Sequence, residues 1–208
     1  MARIDDFKAA LIGGGARANQ FRVIPQFPAG VTNTDTTGLG LVQLGSFMIK
    51  TAQLPGSELS EIMVPYRGRE LYLPGDRKFQ PWTITVINDN NFAIRNAMES
   101  WSNNINTHVG NTSAGGIDAT DFASFVQDWT VEQIGKDGEV NKSIVLRGCF
   151  PTTIDPIDVS FDTADTISEF SATIRYQFWT SNTTDNVGKN YCVRFSIILK
   201  RHIMEKQC

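Results

Sequence analysis

Between Glu169 and Phe178 the sequence reads EFSATIRYQF, and its apolar residues fall on every second position. Side chains of an extended strand point alternately to opposite faces. Phe170, Ala172, Ile174, Tyr176 and Phe178 therefore share one face, opposite Glu169, Ser171, Thr173, Arg175 and Gln177. A helix would scatter those five apolar residues around its circumference. The stretch specifies a strand buried on one side, and such a strand needs a sheet around it.

The same signal recurs. In WTITVI, Trp82, Ile84 and Val86 oppose Thr83 and Thr85. Further strands are expected over 21–27, 41–52, 61–64, 70–73, 122–134 and 140–150. Another is expected where Ile157, Val159 and Phe161 alternate with Asp158, Ser160 and Asp162. Reversals are marked by Pro55-Gly56-Ser57, by Pro65, Arg67 and Gly68, by Pro74-Gly75-Asp76, and by Lys136-Asp137-Gly138, which closes a hairpin. The Thr-, Asn- and Gly-rich run from Val31 to Gly40 reads as a flexible surface loop.

Two helices interrupt this pattern. Ile4, Phe7 and Leu11 share a face of a short N-terminal helix that Gly13, Gly14 and Gly15 end. A second is expected over 90–105, where Ile94, Met98, Trp101 and Ile105 form one stripe. Asn88, Asp89 and Asn90 supply acceptors for its first amides. The polar run 108–116 ends it. The expected fold is mainly β, an antiparallel β-sandwich or partly closed barrel with a flanking α-helix and a short N-terminal helix. It forms one domain over 1–185, followed by a basic C-terminal extension over 186–208. In that extension Tyr191, Val193, Phe195, Ile197 and Leu199 alternate with polar residues, which fits an added strand or a tail equally.

Chemistry-bearing constellations are missing. Cys149, Cys192 and Cys208 lack paired spacing, and three thiols cannot all bridge internally, so reduced cysteines are expected. His108 and His202 are too few for a zinc set or a triad context. No Gly-Lys-Ser/Thr follows Gly13–Gly15, so these glycines are no phosphate loop. Asp155, Asp158, Asp162 and Asp165 lack the spacing of a calcium loop and read as a solvated acidic face. No enzyme, cofactor or metal is expected. The longest apolar runs, such as FSIIL at 195–199, are far too short to insert in a membrane, and no secretion signal is read.

Charge is uneven. Residues 189–208 hold five basic residues and one acidic, whereas residues 1–188 hold 14 basic and 21 acidic. An acidic body without a basic stripe does not bind phosphates by replacing their counterions. It does not rule out a protein that nucleic acid passes without sticking.

Four features now stand in a telling order: Leu54-Pro55, the run from Gly75 to Trp82 (GDRKFQPW), Asn88-Asp89, and the Gly148–Thr152 approach (GCFPT). With the helix ending ESWSNNIN and the strand FSATIRYQFW, they resemble the major tail tube proteins of contractile-tailed, T4-like bacteriophages over about residues 4–181. The resemblance implies homo-hexameric rings stacked into a hollow tube, with strands of six subunits joined in one inner barrel. Closure in this way leaves no exposed strand edge. It implies a protein of the virion tail, assembled in the host bacterial cytoplasm. Its partners would be the tail sheath, baseplate tube initiator, tape measure and tail terminator proteins, and DNA would pass transiently. The alternatives are the tube initiator itself, a type VI secretion tube protein, and a monomeric ligand-binding sandwich.

The segment from Leu54 to Gly75 resembles the family's long hairpin, which touches adjacent subunits and the neighbouring ring. Its candidate contact residues are Leu54, Pro55, Gly56, Met63, Tyr66, Arg67, Arg69, Tyr72 and Leu73, with the two arginines placed to meet carboxylates. A hairpin folded back on its own core is the competing reading. Asp158 and Asp162 are the candidates for an acidic lumen that repels phosphate.

Overall fold

The computed structural model describes residues 3–11, 15–113, 124–162 and 164–184. In chain order its elements are α1 (Ile4–Ala10), β1 (Phe21–Ile24), α2 (Leu41–Met48), β2 (Ile49–Thr51), β3 (Glu58–Tyr66), β4 (Arg69–Lys78), β5 (Trp82–Ile87), α3 (Ala93–Ile105), β6 (Gln127–Ile134), β7 (Val140–Ile154), β8 (Glu169–Arg175) and β9 (Phe178–Ser181). Gly13, Gly14, Cys192, Cys208, His202 and the expected extension 186–208 lie outside the described residues.

One antiparallel sheet runs β1-β6-β7-β8-β5-β2, and β9 pairs with β7. Its two end strands, β1 and β2, both pack against α2, so the sheet curls into a nearly closed barrel. α3 lies against β7 and α2. Its buried Ile94, Met98 and Trp101 are the expected stripe, and the Asp89 carboxylate accepts the amide of Ala93 at 2.8 Å. Trp82, Ile84 and Val86 are buried as alternation requires, as are Phe170, Ala172, Ile174 and Tyr176.

The longest strand, β7, turns the corner of the barrel. Its residues Ile144–Arg147 pair with β9, and Phe150–Ile154 pair with β8. Arg147 faces Phe178 and Phe150 faces Arg175, so one register runs through the bend. The pivot is Gly148, at φ +66°, a backbone region open to glycine at little cost. Its N–H donates to Asp128 Oδ1 at 2.9 Å while Arg147 holds Oδ2 at 2.6 Å. The bend also interrupts the expected continuous strand at Tyr176 and Gln177, and Phe178 emerges half-exposed beyond it.

Several expectations need correction. Residues 41–52 are a helix and then a three-residue strand: Leu41, Leu44, Gly45 and Met48 face inward at helical spacing, with Val42 and Phe47 outside. Gly45 permits that packing, because a Cβ there would stand 2.5 Å from Pro25 Cγ. Residues 157–161 form no strand. Pro156 removes a ladder donor, and only Ile157 of the alternating apolar residues packs against the core, since Val159 and Phe161 are both open to solvent. β6 begins only at Gln127.

The loop 31–40 is on the surface as expected, but it is tied down. Thr34 and Thr36 hydrogen-bond with Asn91 and Asn96 at the start of α3. Asp35 accepts the Thr37 hydroxyl and amide with one oxygen and the Gly40 amide with the other.

Two outcomes follow for stability. Gly148→Ala places a side chain in the left-handed region with its Cβ 3.0 Å from Gln177 Cγ. It should cost about 1–3 kcal/mol of unfolding free energy, read from urea denaturation. The hydrogen bonds from Thr37 lower the Asp35 pKa below 3.8. Its loop contribution should persist above that value and vanish as pH falls through the lowered one, seen as loss of Thr37 and Gly40 amide protection.

Candidate assembly interface

Among the described residues β3 and β4 pair only with each other. They form a two-stranded arm whose residues are almost all exposed along both strands. The arm does not fold back on the barrel. Cross-strand partners run from Glu58 opposite Lys78 at the root to Tyr66 opposite Arg69 at the tip. The tip is a two-residue turn, Arg67 at φ 48° and Gly68 at φ 81°, the doubly left-handed conformation that matches strand twist. The Arg67 guanidinium stacks over the Tyr66 ring at 5.4 Å.

Pro74-Gly75-Asp76, expected as a reversal, instead makes a bulge within β4. Two residues, Gly75 and Asp76, oppose Ser60 alone, and the Ser60 hydroxyl donates to the Asp76 carbonyl at 2.9 Å. Ser60 comes so close that a Cβ on Gly75 would lie 2.7 Å from its hydroxyl oxygen. The turn-forming residue types are used to kink a strand.

Register assigns the arm's two faces. Ile62 opposite Leu73 and Val64 opposite Leu71 form an aliphatic face that ends in Tyr66 and Arg69. Met63 opposite Tyr72 lies on the other face, with Pro65, Pro74, Glu61 and Glu70. The Tyr72 hydroxyl donates to the Glu70 carboxylate, which raises the phenol pKa. Ile62, Met63, Tyr66, Leu71 and Tyr72 are each more than half exposed. Apolar surface this continuous makes the arm a candidate interaction site. An isolated two-stranded hairpin is marginal in water without cover for such a face.

The root is held by the barrel. Trp82 Nε1 donates to the Gln53 carbonyl at 2.6 Å and Trp179 Nε1 to the Gly56 carbonyl at 3.1 Å. Leu54, Pro55 and Gly56 therefore belong to this anchored root, while Met63, Tyr66, Arg67, Arg69, Tyr72 and Leu73 belong to the free arm. Sequence reasoning missed Leu59, Ile62, Val64 and Leu71. The alternation of Ile62, Val64 and Tyr66 carried that signal across a turn drawn too early.

Asp158 and Asp162 lie on the exposed stretch after β7, where the Ser160 hydroxyl accepts the Asp162 amide. Among the described residues no group of three His, Cys, Asp or Glu is placed to hold a metal ion. Cys149 is buried, and burial pushes its thiol up to about 12. That suits core packing and not nucleophilic chemistry. No described helix is long and apolar enough to cross a membrane.

The double substitution Ile62→Ser with Leu71→Ser should change subunit unfolding by less than about 0.5 kcal/mol, as surface changes do. It should abolish self-association in sedimentation if this face is an interface.

Comparison with known proteins agrees with the architecture. The chain is 30% identical over 178 residues to the tail tube protein of Serratia phage KSP90, covering 85% of this chain and 95% of that one. It is 29% identical over 178 residues to tail tube protein gp19 of Enterobacteria phage T4, covering 85% and 98%. In fold it is similar to the anti-feeding prophage cap, with TM-score 0.55, 18% identity and coverage of 81% and 91%. It is also similar to a chain of the PVC sheath–tube complex, an extracellular contractile injection system in its extended state, with TM-score 0.50, 13% identity and coverage of 84% and 96%. The family model for phage tail tube proteins matches residues 16–182, and with relatives of this likeness over 85% of its length the chain belongs to the phage tail tube protein family, a structural component of the virion tail.

Proposed function

We propose that copies of this chain form homo-hexameric rings that stack into the tube of a contractile phage tail. The observation that carries this reading is the arm: two apolar strands project from an anchored root with nothing among the described residues to cover them. A convex apolar arm meeting a different surface on the next copy is a heterologous contact, and heterologous contacts make rings or helical stacks. The outer edges of β1, β2 and β9 have no strand partner among the described residues, which supports lateral sheet joining that would merge six barrels around one bore.

The acidic body suits the bore. Negative charge on its wall repels phosphate, so DNA slides through without being held. Asp158 and Asp162 are the proposed lining residues; both are exposed. The tube domain would span 1–185, and the basic charge of segment 186–208 would be attracted by an acidic sheath surface. Tape measure, terminator and baseplate initiator proteins would meet the tube at its interior and ends. Assembly would take place in the host cytoplasm.

Negative-stain microscopy of the purified protein tests the reading. Long hollow tubes are expected; short rings alone would favour an initiator or a secretion tube, and monomers alone would sink the assembly. Because Glu58 and Lys78 are cross-strand partners, an Asn-Gly turn can replace residues 59–77 without opening the root. That variant should remain a folded monomer by near-UV circular dichroism and grow no tubes.

A further inference from the structure

α1 poses the same problem as the arm. Ile4, Phe7 and Leu11 form its apolar stripe, they are 70%, 64% and 44% exposed, and none joins the core. A seven-residue helix is not stable alone in water, because so few bonds cannot offset nucleation. It needs a surface to lie on. The arm's aliphatic face needs a cover, and in the single subunit both remain open, so α1 does not cover its own arm.

Their dimensions agree. α1 is about 10 Å long at 1.5 Å per residue. The face from the Ile62–Leu73 pair to the Tyr66–Arg69 pair extends about 13 Å at 3.4 Å per residue. Their ends also differ in charge. The first turn of α1 carries Asp5 and Asp6, which outweigh Arg3 at its N-cap, and the arm's tip carries Arg67 and Arg69 without a carboxylate within ion-pair distance among the described residues. Lys8, later in α1, flanks the stripe and so lies away from those arginines when the acidic end meets the tip.

We infer that α1 of one copy lies on the aliphatic face formed by Ile62, Val64, Leu71 and Leu73 of another copy, its acidic end at the Arg67–Arg69 tip. This pairing rests on the tube reading and deepens it, because it names the surface that receives the arm. Each partner completes an element that is incomplete alone, so α1 and the arm become fully ordered only in the assembly.

Disulfide trapping tests the pairing. In a background with Cys192→Ser and Cys208→Ser, Phe7→Cys and Leu71→Cys are introduced together, and tubes are oxidised and run on a denaturing gel. A ladder of cross-linked oligomers is expected from tubes, and none from dilute subunits. Asp5→Arg with Asp6→Arg, or Arg67→Asp with Arg69→Asp, should each raise the critical concentration for tube growth about tenfold. All four changes together should bring it back toward the parent value. Deleting residues 2–11 should leave the fluorescence of the buried Trp82, Trp101 and Trp129 unchanged while reducing tube growth.

Tubes that form normally without the ladder, or without any penalty from the deletion, overturn the pairing and leave the tube reading standing. A cross-link confined within single subunits also overturns it. Absence of tubes from the parent protein removes both.

Discussion

A buried indole N–H must find an acceptor, and this constraint fixes the irregular parts of the molecule. Each of the four tryptophans donates to a main-chain carbonyl outside the regular strands: Trp82 to Gln53, Trp101 to Phe125, Trp129 to Gln26, and Trp179 to Gly56. Three of the rings meet in the core, with Trp129 edge-on to Trp82 at 6.0 Å and 6.5 Å from Trp101. Hydrophobic burial supplies the energy, and the N–H bonds give it direction. Loops that would otherwise move are fastened to the most rigid side chains present.

The consequence is a division within one chain. The interior of the barrel meets its own needs: its aromatic centre is packed, and the bend of β7 is secured by the Asp128 carboxylate. The arm meets almost none of its needs, since eight large apolar side chains of β3 and β4 face water. Covering the exposed half of each contributes about 1 kcal/mol. That sum is modest for one contact but repeats at every subunit of an assembly. The tryptophan bonds at Gln53 and Gly56 join the two regions, so a stable body aims an unstable limb.

Much of this was legible in the sequence, for a physical reason. Where one face is buried and the other solvated, alternation is unambiguous, so the strand at Trp82–Ile87 and the Phe170–Tyr176 face were readable. The α3 stripe was readable at its own period. The misreadings share a cause, which is that local residue type does not reveal what a segment packs against. Leu41–Met48 looked like a strand because its apolar density is high, and only contact with Pro25 explains a glycine within a helix there. Ile157–Phe161 has strand periodicity without a sheet to join. Pro74-Gly75-Asp76 has turn composition spent on a bulge. The arm's place and its excess apolar content were readable in the sequence, but its length and aliphatic face required cross-strand register.

The tight turn at Arg67-Gly68 limits how such a limb can change through descent. Lengthening each strand by one residue would exchange the two faces and put the side bearing Glu61 and Glu70 where the aliphatic one stood. Only additions of two residues per strand preserve the orientation, and each moves the tip by about 7 Å. Reach in this architecture is quantised, and viable variants should differ in discrete increments, never by gradual drift.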